Sequence, residues 1–444
     1  MKQEIDQKSL RKISYLIKCL LTPSRIIMSA IITENNDFMD YLSREIRLPN
    51  GRHATLTHTG LKDLRELIKT IYELDLFSGL ADYDDIGSSL RSVYGKLLVA
   101  GDASLTANDL INFVYEEVSK RISSYRLAVP ISGLIFESLD RLELGSAWLV
   151  NDLYSTLGES GETPVSRHVG SALKAVGSAV WLVGSIEGTL NVARARFSYL
   201  VDLLLGLLAV YGAVTYKDGA MNFRLCAQMS AETTSSRGTC LHWQLDHPGI
   251  TVNYQYQQRQ HLRMDTEDAN RIQTESLFGK GFVLIEKGGN SQLEKTVIRA
   301  LRWFSDAQRD ISLTMQFVKY WSCVEAFFSG TEKVVRSVST GLAITLVAGG
   351  FEVYSPEEYF NLKSRIAKLY AARCKAVHHG YDEHISWMDV RDLSEWCAWL
   401  IVTMLSLVER SYTSTSEIKR HIDRLDAVLI RGNEKAVLGA RPES

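Results

Sequence analysis

Arg373 and His378 are separated by four residues in the run Arg373-Cys374-Lys375-Ala376-Val377-His378-His379-Gly380. Arginine is cationic at any physiological pH, and its planar fork of N–H donors fits a phosphate. The ordinary pKa of histidine lets an imidazole take up or release a proton near neutrality. A cation aimed at phosphate oxygens and a group that moves protons are two of the parts needed to cleave a phosphodiester without a metal. The spacing alone is common, so its meaning depends on the elements that hold the two residues.

Ser355-Pro356-Glu357-Glu358 is a helix start, with serine at the N-cap, proline at the first helical position and glutamate at the third. The helix it opens runs to about Val377 and stops near Gly380. Its apolar stripe reads Leu362, Ile366, Leu369, then Arg373, then Ala376. An arginine therefore stands where the pattern asks for an apolar residue. It is either a side chain snorkelling at the core edge or a cation held at a helix–helix or subunit interface. His378 falls at the frayed helix end, from which it can turn toward the same ligand. Around this helix the chain from Gln292 onward reads as helical throughout. Leu293–Phe328 is one long helix or two in tandem, Thr331–Val347 a shorter one, and Asp389–Ser411 and Glu417–Ile430 two more, together a four- or five-helix bundle.

The pattern Tyr370-x-x-Arg373-x4-His378-His379-Gly380, at the end of a helix in a C-terminal bundle, resembles the HEPN superfamily. Upstream, Trp321-Ser322-Cys323-Val324-Glu325 is similar to the Trp-x-x-x-Glu helix of the Apea-like HEPN branch, and Leu301-Arg302-Trp303-Phe304 to its opening helix. The resemblance covers residues 292–430. It implies an all-α, HEPN-like bundle acting as a metal-independent endoribonuclease with no cofactor. It also implies a homodimer or higher symmetric oligomer, in which the Arg and His of two protomers meet. Arg373 and His378 are then catalytic. The ribose 2′-OH attacks the adjacent phosphorus, so RNA is the substrate; His378 moves protons and Arg373 stabilises the phosphate charge. Tyr370, Glu325 and His379 are supporting residues. Glu325 is either an active-site partner of Arg373 or half of a buried structural ion pair, and His379 competes with His378 for its role. Lys375 is an RNA-binding candidate or a solvated charge. Cys374 stands where catalytic members commonly have Asn or Asp. By family analogy the protein is a toxin-like effector of antiphage defence by abortive infection, with a phage-derived trigger. The other reading is a non-catalytic HEPN dimerisation or regulatory RNA-binding module.

The rest of the chain sets limits on these readings. A net charge of −2 over 444 residues supplies no global positive field, so nucleic acid must be met by a local basic patch. Six scattered cysteines without a Cys-x-x-Cys suggest reduced thiols and a cytoplasmic location. The uncharged run Leu203–Tyr216 is shorter than the roughly 20 residues of a membrane span and reads as a buried helix. Residues 1–288 read as an α+β sensor or substrate-selection region, divisible near 160–220. Helices are expected at Ser9–Ile32, broken by Pro23, at Leu61–Phe77, at Asn108–Ile122 and through the Ala/Gly/Leu-rich 163–215. Strands are expected at Tyr125–Val129, Trp148–Asn151, Asn222–Gln228, Cys240–Leu245, Thr251–Tyr256 and Gly281–Ile285. Gly288-Gly289-Asn290-Ser291 is the linker candidate before a 292–432 bundle, and 433–444 reads as a flexible tail. Cys240-x-His242-x4-His247 has metal-ligand residue types but no fourth ligand at typical spacing, and structural histidines are the simpler reading. Gly279-Lys280-Gly281 lacks the upstream glycine of a phosphate-binding loop. Tyr254 and Tyr256 could stack bases, although ordinary sheet faces look the same.

Overall fold

The computed structural model describes residues 5–27, 43–100, 105–153, 180–216, 224–227, 237–242, 251–256, 261–274, 276–328, 334–379 and 385–439. The chain combines an N-terminal region of helices and small sheets with a mostly helical C-terminal part. It divides into two compact units, residues 1–127 with 185–197, and residues 128–184 with 198–444.

In the first unit, helix α1 (Gln7–Leu20) opens on Asp6, whose carboxylate accepts the Ser9 backbone N–H at 2.9 Å. Strands β1 (Ile26–Ile27), β2 (Glu45–Arg47) and β3 (His53–Leu56) form an antiparallel sheet in the order β1-β3-β2. Leu48-Pro49-Asn50-Gly51 closes the β2–β3 hairpin, and Gly51 takes the φ of +78° that a side chain would resist. Helices α2 (His58–Tyr72), α3 (Tyr83–Ala100) and α4 (Ala107–Ser119) also belong to this unit, together with residues 185–197. Leu64, Leu67, Ile68 and Ile71 of α2 are buried, as their helical spacing predicts, whereas Leu74, expected on the same face, lies past the helix end at Tyr72 and is half-buried.

The second unit takes in most of strand β8 and helix α5 as well as everything that follows. Strands β4 (Ser123–Ser132), β5 (Leu134–Phe136), β6 (Arg141–Leu144), β7 (Ala147–Val150), β8 (Val180–Gly188) and β9 (Cys226–Ala227) come first. A five-stranded sheet has the order β6-β7-β8-β4-β9. Strands β10 (Arg237–His242) and β11 (Thr251–Tyr256) form an antiparallel pair, and β12 (Leu262–Met264) lies parallel to β5. The Trp148–Asn151 and Thr251–Tyr256 expectations agree with β7 and β11 to within a residue.

The helices are α5 (Leu190–Thr215), α6 (Thr266–Thr274), α7 (Ser276–Lys287), α8 (Gln292–Arg309), α9 (Leu313–Phe328), α10 (Val334–Ala348), α11 (Tyr359–His379), α12 (Trp387–Glu409) and α13 (Thr415–Gly439). Among the described residues from 292 on there are six α-helices rather than four or five, because Asp310–Ser312 splits the first long run. The main packing partners are α8 with α9, α10 with α11, and α12 with both α8 and α9. Trp321, Tyr320, Phe304, Phe317 and Trp396 are the large buried side chains of this core.

Several expectations are corrected. Gly281–Ile285 is not a strand but part of α7, where Phe278, Phe282 and Ile285 are buried at helical spacing. Gly281 lets α7 approach α5 closely, since a Cβ there would lie 2.9 Å from the Leu207 side chain. The 163–215 stretch is not helical throughout: the β-branched and aromatic run Val180-Trp181-Leu182-Val183 enters β8, while 163–179 lies outside the described residues. Helix α5 starts at Leu190 and is long and apolar enough, by length and composition, to cross a membrane; 72% of its apolar window is buried inside the fold. Gly288 and Gly289, both at positive φ, form a tight turn inside the second unit rather than a link between units. The final helix continues to Gly439, past the point where composition suggests a tail.

Candidate active site

Two packed helices, α9 and α11, build the site. Trp321 of α9 meets Tyr370 of α11 edge to face, with ring centroids 5.1 Å apart. One turn further along α9, Glu325 meets both Tyr370 and Arg373. The Tyr370 hydroxyl donates to Glu325 Oε1 at 2.6 Å, and Arg373 Nη2 donates to Glu325 Oε2 at 3.0 Å. Trp321 and Glu325 are four residues apart on one helix and Tyr370 and Arg373 three apart on the other, so each pair lies about one turn apart on its own helix and Glu325 reaches both residues of α11. Each carboxylate oxygen accepts one strong donor, and the two bonds fix the rotamer of Glu325.

The environment is largely dry. Tyr370 is buried, and the side chains of Arg373 and Glu325 are 18% and 19% exposed. Burial, reinforced by the Glu325 carboxylate, holds the Tyr370 phenol well above its ordinary pKa, so Tyr370 stays a neutral donor. The Arg373 guanidinium also lies 5.8 Å from the Tyr370 ring centroid, within cation–π range. Arg373 Nε and Trp321 Nε1 are buried without a hydrogen-bond partner among the described residues. The buried stripe of α11 reads Tyr359, Leu362, Ile366, Tyr370 and then Arg373. Tyr370, not Leu369, carries it, because the hydroxyl of a tyrosine can be buried once Glu325 accepts from it.

His378 is placed differently from the expectation. Helix α11 does not release it but continues through His379, since no helix breaker precedes Gly380. Five residues of helix turn the side-chain direction by about 140° and advance it by about 7.5 Å. Arg373 therefore faces α9 while His378 is exposed to solvent on another face, beside exposed Lys375. A single chain brings Glu325, Tyr370 and Arg373 together and leaves His378 apart from them. Cys374 is half-buried. The side chain of His379 and all of Gly380 lie outside the described residues.

The sequence reading missed Trp321 as the packing floor beneath Tyr370, and it missed Lys368, exposed on the same face as Lys375 and His378. The available signal was charge: from Tyr359 to His379, α11 carries five Lys or Arg and no Asp or Glu. Among the described residues, no group of three or more His, Cys, Asp or Glu is placed to hold a metal. The side chains of Cys240, His242, Tyr254 and Tyr256, and all of His247, lie outside that set. Comparison of the chain with protein-family models, with curated proteins and with solved structures finds no match.

Proposed function

We propose that this protein is a metal-independent endoribonuclease of the HEPN type, acting as a homodimer with composite active sites. One observation carries the reading. An arginine is locked in place by Glu325 and Tyr370, and an exposed histidine follows five residues later on a helix without carboxylates. Because Arg373 and His378 of one chain face about 140° apart, a two-fold pairing of α11 ends supplies the opposing group that one protomer lacks.

The chemistry follows from the residues. A His378 imidazole takes the proton of the ribose 2′-OH as O2′ attacks phosphorus, and the bond from phosphorus to O5′ breaks. The second protomer's imidazole, entering protonated, gives its proton to O5′. Arg373 stabilises the extra negative charge on the phosphorane oxygens. Glu325 keeps the guanidinium oriented and Tyr370 keeps Glu325 oriented, so neither needs to touch the RNA. The products are a 2′,3′-cyclic phosphate and a 5′-OH. By the same resemblance, the biological setting is abortive infection in antiphage defence.

A second reading also has an observation behind it. The Glu325–Arg373 pair accounts for Arg373 as a part of the bundle, and Cys374 replaces the polar residue common in catalytic relatives. The bundle would then serve dimerisation or regulation without catalysis. RNA cleavage with EDTA present separates the two. Under the proposal the wild-type chain cuts, and Arg373→Ala and His378→Ala each abolish cutting. Undiminished cleavage in both variants removes the site assignment. Loss of wild-type cleavage in EDTA removes the metal-free mechanism.

A further inference from the structure

Helices α10 and α11, which pack along one another, carry six Lys or Arg and no Asp or Glu over 36 residues. Three of these cations are neutralised from neighbouring helices: Lys363 by Asp426, Arg365 by Asp392 and Arg373 by Glu325. The remaining three, Arg336, Lys368 and Lys375, are exposed and make no ion pair among the described residues. They are not scattered. At 100° per residue, Lys368, Lys375 and His378 fall within about 80° of one another on the outer face of α11. At the N-terminal end of that face, Arg336, Val335 and Phe360 line an open groove between α10 and α11 whose lining contains no carboxylate. The Phe360 ring is 41% exposed and is fixed edge-on against Tyr359, with centroids 5.1 Å apart.

We infer that this face is a track for single-stranded RNA, running about 27 Å from Phe360 to His378. The inference rests on the endoribonuclease reading for its end point and deepens it by placing the strand. Arg336, Lys368 and Lys375 contact successive phosphates, and Phe360 stacks on an unpaired base. Charge complementarity identifies the occupant: three cations that make no ion pair among the described residues, on two helices that carry no Asp or Glu, attract a polyanion locally in a chain of net charge −2. The exposed aromatic selects single strands, whose bases are free to stack.

The test uses the full chain carrying His378→Ala, so that RNA is bound but not cut. Binding of a fluorescein-labelled 12-nucleotide single-stranded RNA is followed by anisotropy across salt concentrations. Adding Arg336→Gln, Lys368→Gln and Lys375→Gln together is expected to flatten the log–log salt slope by about 2, at ~0.7 per lost contact, and to weaken binding on the order of a hundredfold at 0.1 M salt. Phe360→Ala is expected to weaken binding roughly tenfold with the slope unchanged. Circular dichroism melting confirms folding, and Lys368→Gln alone, with a slope change of ~0.7, stands in if the triple variant does not fold. An unchanged slope in the variants overturns the track, as does equal affinity for duplex RNA. A change in oligomer mass by light scattering with RNA affinity intact also overturns it, and makes the face a subunit contact. Sedimentation with phosphatidylserine vesicles in place of RNA binding would overturn it in favour of a membrane surface. If the wild-type chain cuts RNA while the triple variant binds normally, the track fails and the nuclease stands. Track-dependent binding without wild-type cutting has the opposite meaning.

Discussion

Glu325 is the residue on which the candidate site turns mechanically, and its removal has a calculable cost. Its carboxylate accepts the Tyr370 hydroxyl at 2.6 Å and Arg373 Nη2 at 3.0 Å. Hydrogen bonds to charged groups contribute about 1.5–3 kcal/mol each, and the residual exposure of this pair favours the lower end. Glu325→Ala breaks both bonds and strands a part-buried guanidinium, for a cost of about 3 kcal/mol. Glu325→Gln keeps an acceptor for Tyr370 and loses the charge, for about 1 kcal/mol. Arg373→Ala breaks one of the two bonds, for about 2 kcal/mol. Since Glu325→Ala and Arg373→Ala break the same ion pair, the double variant should cost about 1.5 kcal/mol less than their sum. Urea unfolding followed by tryptophan fluorescence reads the relevant unit selectively. All eight tryptophans (Trp148, Trp181, Trp243, Trp303, Trp321, Trp387, Trp396 and Trp399) belong to residues 128–184 and 198–444. Additivity of the two single effects within about 0.5 kcal/mol would show that the pair does not couple and would refute the reasoning.

Three further outcomes are expected. His378→Ala, at an exposed position, should change stability by less than about 0.5 kcal/mol, while the same urea series shows the larger Arg373→Ala loss; a large effect of His378→Ala would mean that its ring packs. Gly341→Ala should lower stability by about 1–3 kcal/mol despite a gain of about 1 kcal/mol in helix propensity, because the added Cβ would fall 2.7 Å from the Phe328 ring; a stabilised variant in the same assay would contradict the packing. Burial and the Asp268 carboxylate push the Tyr216 phenol up to about 12 from an ordinary 10. The folded chain therefore keeps this proton longer than the unfolded one. The contribution is fully present below pH 10 and is lost as pH rises from 10 toward 12. Absorbance titration of phenolate should lose one late-ionising group in Tyr216→Phe, and loss of an early one instead would reverse the assignment.

What could be read from the sequence was local. Ser355-Pro356-Glu357-Glu358 marks the start of the site helix, because a side chain three residues from a backbone N–H can cap it without help from the rest of the chain; Glu358 does so at 2.9 Å from the Ser355 N–H. Leu48-Pro49-Asn50-Gly51 marks a turn because proline and a glycine free to take positive φ bend the chain locally. The buried face of α2 and the Leu362–Ile366 part of that of α11 follow from apolar residues at helical period, whereas Tyr370 rather than Leu369 continues the latter. The family resemblance singled out Tyr370, Arg373, His378 and Glu325 together, and three of the four meet. Gly281–Ile285 was misread because a short apolar run has no period of its own; helix or strand is decided by whether Leu207 and the α12 face lie against it.

The direction of His378 was also beyond reach of the residues alone, because Ala376-Val377-His378-His379 is compatible with a frayed end or a continuing helix. The sequence by itself determined which side chains can do phosphate chemistry and which segment carries them, since capping, period and charge act over a few residues. Only the tertiary structure decided that Glu325, 48 residues before Arg373, takes its charge, and that His378 and Lys368 share an outward face while Arg373 looks inward. The physical reason is that helical phase assigns each residue a direction, and only the packing of α9 and α10 against α11 determines which directions are covered and which stay open.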